Sequence, residues 1–134
     1  MTDWKVFFDG IFTERDIKIN EPMSRHTTYG IGGPADVFVM PQTEEQLIKI
    51  LRKADAEGIA VTVIGGGSNT LVSDKGIRGI TICMNRMKQE MTCEGEWITA
   101  SGGTGTGTVA RFAEKNSLKG FEWAVGIPGT VCGA

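Results

Sequence analysis

Gly65, Gly66 and Gly67 stand in a row at the end of the β-branched run Val61-Thr62-Val63-Ile64, and Ser68 and Asn69 follow them. A strand that stops at bare backbone can aim several N–H groups at one point, because glycine accepts φ > 0 and has no Cβ to obstruct the approach. Phosphate or pyrophosphate is the ligand such a loop suits, with Ser68 and Asn69 adding side-chain donors. The same residues also suit a tight turn that needs glycine for geometry alone, and the stretch by itself leaves both readings open.

A second run, Gly105-Thr106-Gly107-Thr108-Val109-Ala110, matches the G-x-G-x-x-A spacing of dinucleotide loops, follows a strand-like segment and opens a helix-like one. It offers the alternative of a nicotinamide-binding oxidoreductase. Against that, the preceding segment reads as half of an antiparallel hairpin, whereas the fingerprint belongs to a parallel β-α-β unit, and residues 118–124 make a weak second strand. No Gly-Lys-Ser or Gly-Lys-Thr occurs, which removes a nucleoside triphosphatase loop. Cys83, Cys93, Cys132 and the lone His26 have neither metal-ligand spacing nor a Cys-x-x-Cys pair, so no metal site and no disulfide framework is expected. Cys83 and Cys93 fall in strand-like segments as small buried hydrophobes, and a Cys–His catalytic pair has no local signature.

The elements that must carry these loops are partly readable. Leu47, Ile50, Leu51 and Ala54 recur at helical spacing over 43–57, Thr43 and Gln46 have the spacing of a capping box, and Gly58 is a ready stop. Strands are expected over 35–40, 61–64 and 77–84, with a β-α-β crossover joining the first two through the helix. A hairpin is expected from 87–93 and 97–101 about the turn Glu94-Gly95-Glu96, then a second helix over 107–116 with Val109, Phe112 and Ala113 on one face.

Composition bounds the rest. The chain has 134 residues, one domain's worth, and fourteen basic against sixteen acidic residues leave a net charge of −2 with no charged block. Nothing in that pattern recruits nucleic acid or an anionic membrane surface. No apolar run approaches the ~18 residues of a membrane span, and Val6-Phe7-Phe8 is interrupted too soon to be a signal peptide, which makes a cytoplasmic protein the default. Nineteen glycines far exceed the usual share of roughly 7%, and they cluster at element ends, as loops converging on one ligand would require. From Trp123 to Ala134 no charged residue occurs. This apolar tail reads as cut inside an element and prone to self-association.

Several stretches, in order, resemble one family. They are Ser24-Arg25-His26-Thr27-Thr28-Tyr29, Ile31-Gly32-Gly33-Pro34-Ala35-Asp36, Val61–Asn69, Leu71-Val72-Ser73-Asp74, Gly76-Ile77-Arg78-Gly79 and Gly126-Ile127-Pro128-Gly129-Thr130-Val131. Together they are similar to the UDP-N-acetylenolpyruvoylglucosamine reductases, FAD-dependent enzymes of peptidoglycan precursor synthesis. The resemblance implies an α+β fold, a FAD-binding domain of the vanillyl-alcohol oxidase / p-cresol methylhydroxylase type, here truncated. It begins at about residue 20, the weakly patterned residues 1–19 reading as a short N-terminal helix or extension, and implies a first subdomain over about 20–85, an incomplete second over about 86–134, and no substrate domain.

The resemblance further implies that Gly65, Gly66, Gly67, Ser68 and Asn69 hold the FAD pyrophosphate. Gly126, Ile127, Pro128, Gly129, Thr130 and Gly133 would line the cofactor from the second subdomain, Pro128 fixing a turn beside the flat ring. In the family NADPH reduces FAD, and the flavin delivers hydride to a UDP-N-acetylglucosamine enolpyruvate, giving UDP-N-acetylmuramate. The serine, arginine and glutamate that assist lie beyond the matched segments, so no catalytic residue is expected in this chain, which alone should be inactive and bind FAD weakly or not at all. Two departures stand out: Gly30 where the family usually has a basic residue, and Cys132 where it usually has glycine. A non-catalytic module that keeps the fold is the alternative from another class.

Overall fold

The computed structural model describes residues 2–87 and 90–134 and is organised around a four-stranded sheet. Its strands β1 (Ile17–Pro22), β2 (Pro34–Val39), β3 (Val61–Ile64) and β4 (Ile77–Cys83) lie in the order β1-β2-β4-β3. β1 is antiparallel to β2, while β2 and β3 both run parallel to β4. The expected β-α-β crossover is therefore present, but β4 lies between its two strands. Burial explains the placement: Ile80, Thr81, Ile82 and Cys83 are buried in succession, which requires cover on both faces and a partner on both sides. β3, whose Val63 is exposed, takes the edge.

Two helices cover one face. α1 (Trp4–Phe7) starts at Asp3, whose Oδ1 accepts from the Lys5 and Val6 N–H groups, and α2 (Glu44–Ala56) starts at Thr43, whose Oγ1 accepts from Gln46 N at 3.2 Å. The capping box is only half formed. Gln46 Oε1 accepts from Gln42 N instead of reaching back to Thr43, and its Nε2 donates to Ile11 O at 3.1 Å, which ties the helix to the N-terminal segment. Ile50 and Ala54 are buried and Leu47 packs beside them, but Leu51 stays exposed.

Residues 1–19, expected as a short helix or extension, carry the short helix α1 and also enter the core. Phe7 and Phe8 are buried in the core with Val37, Val39, Ile50, Ile80 and Ile82, Phe7 and Phe8 meeting edge to face at 4.8 Å between ring centroids. Lys53 Nζ donates to Phe7 O at 2.5 Å, and β1 already begins at Ile17. On the opposite face a smaller cluster of Met23, Ala35, Phe38, Ile64, Val72 and Cys83 forms under the connections on either side of β2 and β3.

The second half is smaller. β5 (Met91–Glu94) and β6 (Trp97–Ala100) form the expected hairpin, with Gly95 at φ 61 in its two-residue turn. The expected first strand of this hairpin is shorter than 87–93, and its Lys88 and Gln89 lie outside the described residues. α3 (Thr106–Lys115) follows, burying Val109, Ala110 and Ala113. Beyond it, 118–124 forms no strand; a 3-10 turn covers Glu122–Gly126. Among the described residues no helix is long and apolar enough to cross a membrane.

If the N-terminal segment belongs to the core, Phe8→Ala should cost about 3–5 kcal/mol, the range for truncating a buried phenylalanine. Urea unfolding followed by circular dichroism measures it; a loss no larger than that of an exposed-site control would return residues 1–19 to an appended extension.

Candidate functional site

The three glycines leave β3 at the edge of the sheet, beside the end of β4, where Cys83 Sγ donates to Gly65 O at 3.5 Å. Gly67 takes φ 67, and a Cβ there would fall 2.0 Å from His26 O, so the loop lies directly on the backbone of the segment before β2. Thr28 N donates to Gly67 O at 3.0 Å and Tyr29 Oη donates to Asn69 Oδ1 at 3.3 Å. Backbone thus supports backbone. Among the described residues nothing accepts from the N–H groups of Gly66, Gly67, Ser68 and Asn69, nor from the Ser68 hydroxyl.

The tail comes to the same place from the other half of the molecule. It lies antiparallel to the exit of β6: Cys132 N donates to Gly102 O, Val131 N to Thr104 O and Thr106 N to Gly129 O, and the Thr106 hydroxyl donates to Ile127 O at 2.7 Å. This brings Thr130 against Gly65, where a Cβ would meet Thr130 Oγ1 at 2.3 Å. The Thr130 hydroxyl is buried without a partner among the described residues, as is that of Thr81 in mid-sheet, for which the structure offers no explanation.

The expected site residues largely converge. Gly65, Gly66, Gly67, Ser68 and Asn69 line one cleft of about 120 Å³ with Pro128, Gly129, Thr130 and Gly133. It opens beside a groove of about 790 Å³ whose walls are Phe121, Trp123, Ile127, Pro128 and Val131, with Ser68, Asn69 and Thr106 at the rim. Gly126 is the exception, exposed at the end of the 3-10 turn with nothing within 4 Å of where its Cβ would be. No ionisable side chain lines the small cleft. An anion there would be met by neutral N–H and hydroxyl donors.

Sequence reasoning missed the supports. Tyr29 and the His26 backbone sit in a stretch whose order was noticed but whose contact with Asn69 and Gly67 spans about forty residues of chain. For Thr106 the sequence offers a dinucleotide fingerprint or a hairpin exit that starts a helix, and neither foretells its bonds to Ile127 and Gly129. The parallel unit that fingerprint needs does not form there among the described residues: as the sequence suggests, the strand before it belongs to an antiparallel hairpin, and 118–124 forms no strand. Its own Gly105 and Gly107 make only ordinary contacts, a Cβ on either lying 3.6 Å or more from its neighbours, whereas the preceding Gly102 and Gly103 serve close packing: a Cβ on Gly103 would lie 2.1 Å from Met84 O and one on Gly102 would lie 2.5 Å from Cys132 Sγ.

Three titratable groups, His26, Glu21 and Cys83, flank the site without entering it. His26 Nε2 lies 2.8 Å from Glu21 Oε1 while its ring stacks on Phe38 at 4.0 Å, so His26 is a satisfied structural residue rather than a base for a thiol. Burial pushes the Glu21 carboxyl up, but the hydrogen bond to His26 and the charge of Lys18 outweigh it, leaving the group below its ordinary value of 4.5. Burial pushes the Cys83 thiol up, which keeps it protonated and inert.

Two outcomes follow from this support. Gly67→Ala should lower the melting temperature by several degrees, because its Cβ has no room beside His26 O and its φ is unfavourable; an unchanged melting curve contradicts the packing. Glu21 has a depressed folded-state pKa, so its contribution is present above about pH 4.5 and is lost as pH falls through the lower folded value. Urea midpoints measured between pH 7 and pH 3 should therefore fall less steeply for Glu21→Gln than for the parent, and parallel profiles would refute the assignment.

Comparison with known proteins gives these features a lineage. Residues 35–134 match the family described as FAD binding domain. The UDP-N-acetylenolpyruvoylglucosamine reductase of Desulforamulus reducens is 48% identical over 118 residues, covering 88% of this chain and 39% of that protein. The crystal structure of UDP-N-acetylenolpyruvylglucosamine reductase from Thermus caldophilus aligns with a TM-score of 0.62 at 27% identity, over 86% of this chain and 40% of that one. That of p-cresol methylhydroxylase aligns at 0.60 and 14% identity, over 85% and 24%, a likeness of fold that bears out the expected fold type. The chain spans about two fifths of the length of the curated relatives it matches. With a partnerless set of backbone donors at the end of β3 and this ancestry, the chain belongs to the FAD-binding domain family, as a homologue of the UDP-N-acetylenolpyruvoylglucosamine reductases.

Proposed function

We propose that this chain supplies the cofactor-holding part of a reductase that converts UDP-N-acetylglucosamine enolpyruvate to UDP-N-acetylmuramate with NADPH as electron donor, in the cytoplasm where those substrates are available. The observation that carries the reading is the meeting of Gly65–Asn69 with Gly129 and Thr130 around one small cleft of unpartnered donors. The residues fit the diphosphate of FAD. The N–H groups of Gly66, Gly67, Ser68 and Asn69 and the orphaned Thr130 hydroxyl are a donor set without a protein acceptor, and no Cβ occupies the space at Gly66. The adjoining groove, walled by Trp123, Ile127 and Pro128, suits a flat aromatic portion of the same cofactor.

When bound, FAD supplies two-electron hydride chemistry; this chain's residues bind and orient it. Because no ionisable side chain lines the cleft, proton transfer falls to groups outside it. The two sheets divide the chain near residue 85, which supports two parts gripping the cofactor from either side. Trp123, Val125, Ile127 and Val131 stand exposed and support self-association of the 134-residue chain, which sedimentation velocity reads directly.

FAD and ADP, which share the diphosphate, should raise the melting temperature with the logarithm of ligand concentration above the dissociation constant, while riboflavin should do little. NADPH with substrate should give no turnover on this chain alone. Thr130→Val should stabilise the ligand-free chain by about 1 kcal/mol by removing an unsatisfied buried hydroxyl, and should weaken FAD binding at the same time. Gly66→Ala, whose Cβ comes no closer than 3.6 Å to any neighbour, should fold normally and lose the ligand-induced shift. A full shift in Gly66→Ala places the diphosphate elsewhere.

A further inference from the structure

Thr106 grips the Ile127–Gly129 turn at two points, and the geometry of the peptide unit makes that grip bear on the cleft. Its hydroxyl donates to Ile127 O at 2.7 Å and its N–H to Gly129 O at 3.1 Å, from a side chain that is itself buried. The Gly129 carbonyl and the Thr130 N–H belong to one trans peptide, so they point in opposite directions. Holding the carbonyl toward α3 sends the Thr130 N–H away from α3. No described residue accepts that N–H, and Thr130 also carries the buried, partnerless hydroxyl against Gly65.

We infer that Thr106 is a positioning residue for the cofactor: by fixing the carbonyls of Ile127 and Gly129 it presents the Thr130 N–H and hydroxyl to the diphosphate bound by Gly66–Asn69. The inference rests on the proposed FAD-holding role. It also gives the fingerprint-like Gly105–Ala110 stretch a second use, since the start of α3 touches the turn that faces the phosphates rather than the phosphates themselves. The neighbouring bonds from Val131 N to Thr104 O and from Cys132 N to Gly102 O hold the tail whether or not the Thr106 hydroxyl is present. Removing that hydroxyl should therefore free the Ile127 carbonyl and leave the Thr106 N–H as the single hold on Gly129 O, which loosens the turn without releasing the tail.

The test compares the parent chain with Thr106→Val, which keeps the shape and loses the hydroxyl, and Thr106→Ser, which keeps the hydroxyl. Affinities for FAD and ADP are measured by titration calorimetry, alongside the melting temperature and amide hydrogen exchange followed by NMR. Thr106→Val should weaken both ligands by about tenfold, the loss of roughly one charge-assisted hydrogen bond, and Thr106→Ser should recover to within about twofold of the parent. Exchange at the Thr106 amide should quicken in the valine variant alone. Unchanged affinity in Thr106→Val overturns the inference, and so do equal losses of affinity and melting temperature in both variants, which would mean a merely structural residue. If the parent binds neither FAD nor ADP, the proposed function falls. Hydrogen exchange still decides the clamp in that case, because equal exchange at Thr106 in all three proteins refutes it.

Discussion

The contact on which the site depends is backbone laid on backbone. At Gly67 the loop after β3 rests on the carbonyl of His26 so closely that a single methyl group would occupy the same space. At Gly65 its bare backbone makes room for the Thr130 hydroxyl from the other half of the chain. No Cβ fits at either glycine, so most donors of the cleft are peptide groups, the N–H groups of Gly66–Asn69, joined by the Ser68 and Thr130 hydroxyls. Peptide groups cannot change rotamer, and a site built from them loses little entropy when it orders an anion.

The sheet exists, in functional terms, to deliver that loop. β4 is buried on both faces and fixes β3 at its side; the crossover helix α2, pinned by Gln46 to Ile11 and by Lys53 to Phe7, fixes the start of β3. The aromatic N-terminal segment is thus coupled to the site through the helix. On the other side the hairpin and α3 hold the tail. Charge plays a small part throughout: the ion pairs Lys5–Glu14 and Lys49–Glu45 are exposed and lie away from the cleft, where they contribute little.

The sequence displayed local features well and distant ones poorly. α2 was readable because Thr43, Gly58 and the spacing of Leu47, Ile50 and Ala54 are all contained within sixteen consecutive residues. β1 was not, since Ile17-Lys18-Ile19-Asn20-Glu21-Pro22 carries two charges and a proline, and its strand identity comes from pairing with β2. The β-α-β unit was expected, but β4 inserted itself because insertion is decided by what must be covered. At the site, glycine runs announced close approaches without saying to what. Gly65–Gly67 approach a donor cleft, whereas Gly102 and Gly103 approach Cys132 and Met84, and only the family resemblance distinguished the two beforehand. The supporting roles of Tyr29, Thr106 and Thr130 depend on contacts across twenty to sixty residues, which no local pattern encodes.

The cleft lies on the seam between the four-stranded sheet and the hairpin–α3 half, with donors contributed from each. A ligand that spans a seam acts as a tether, and the free energy with which it binds is also free energy that holds the two halves together. Occupancy and interdomain docking are then one thermodynamic variable seen from two sides. Substitutions far from the cleft that loosen the seam would weaken the ligand without touching it, and a saturated site would slow the parting of the halves.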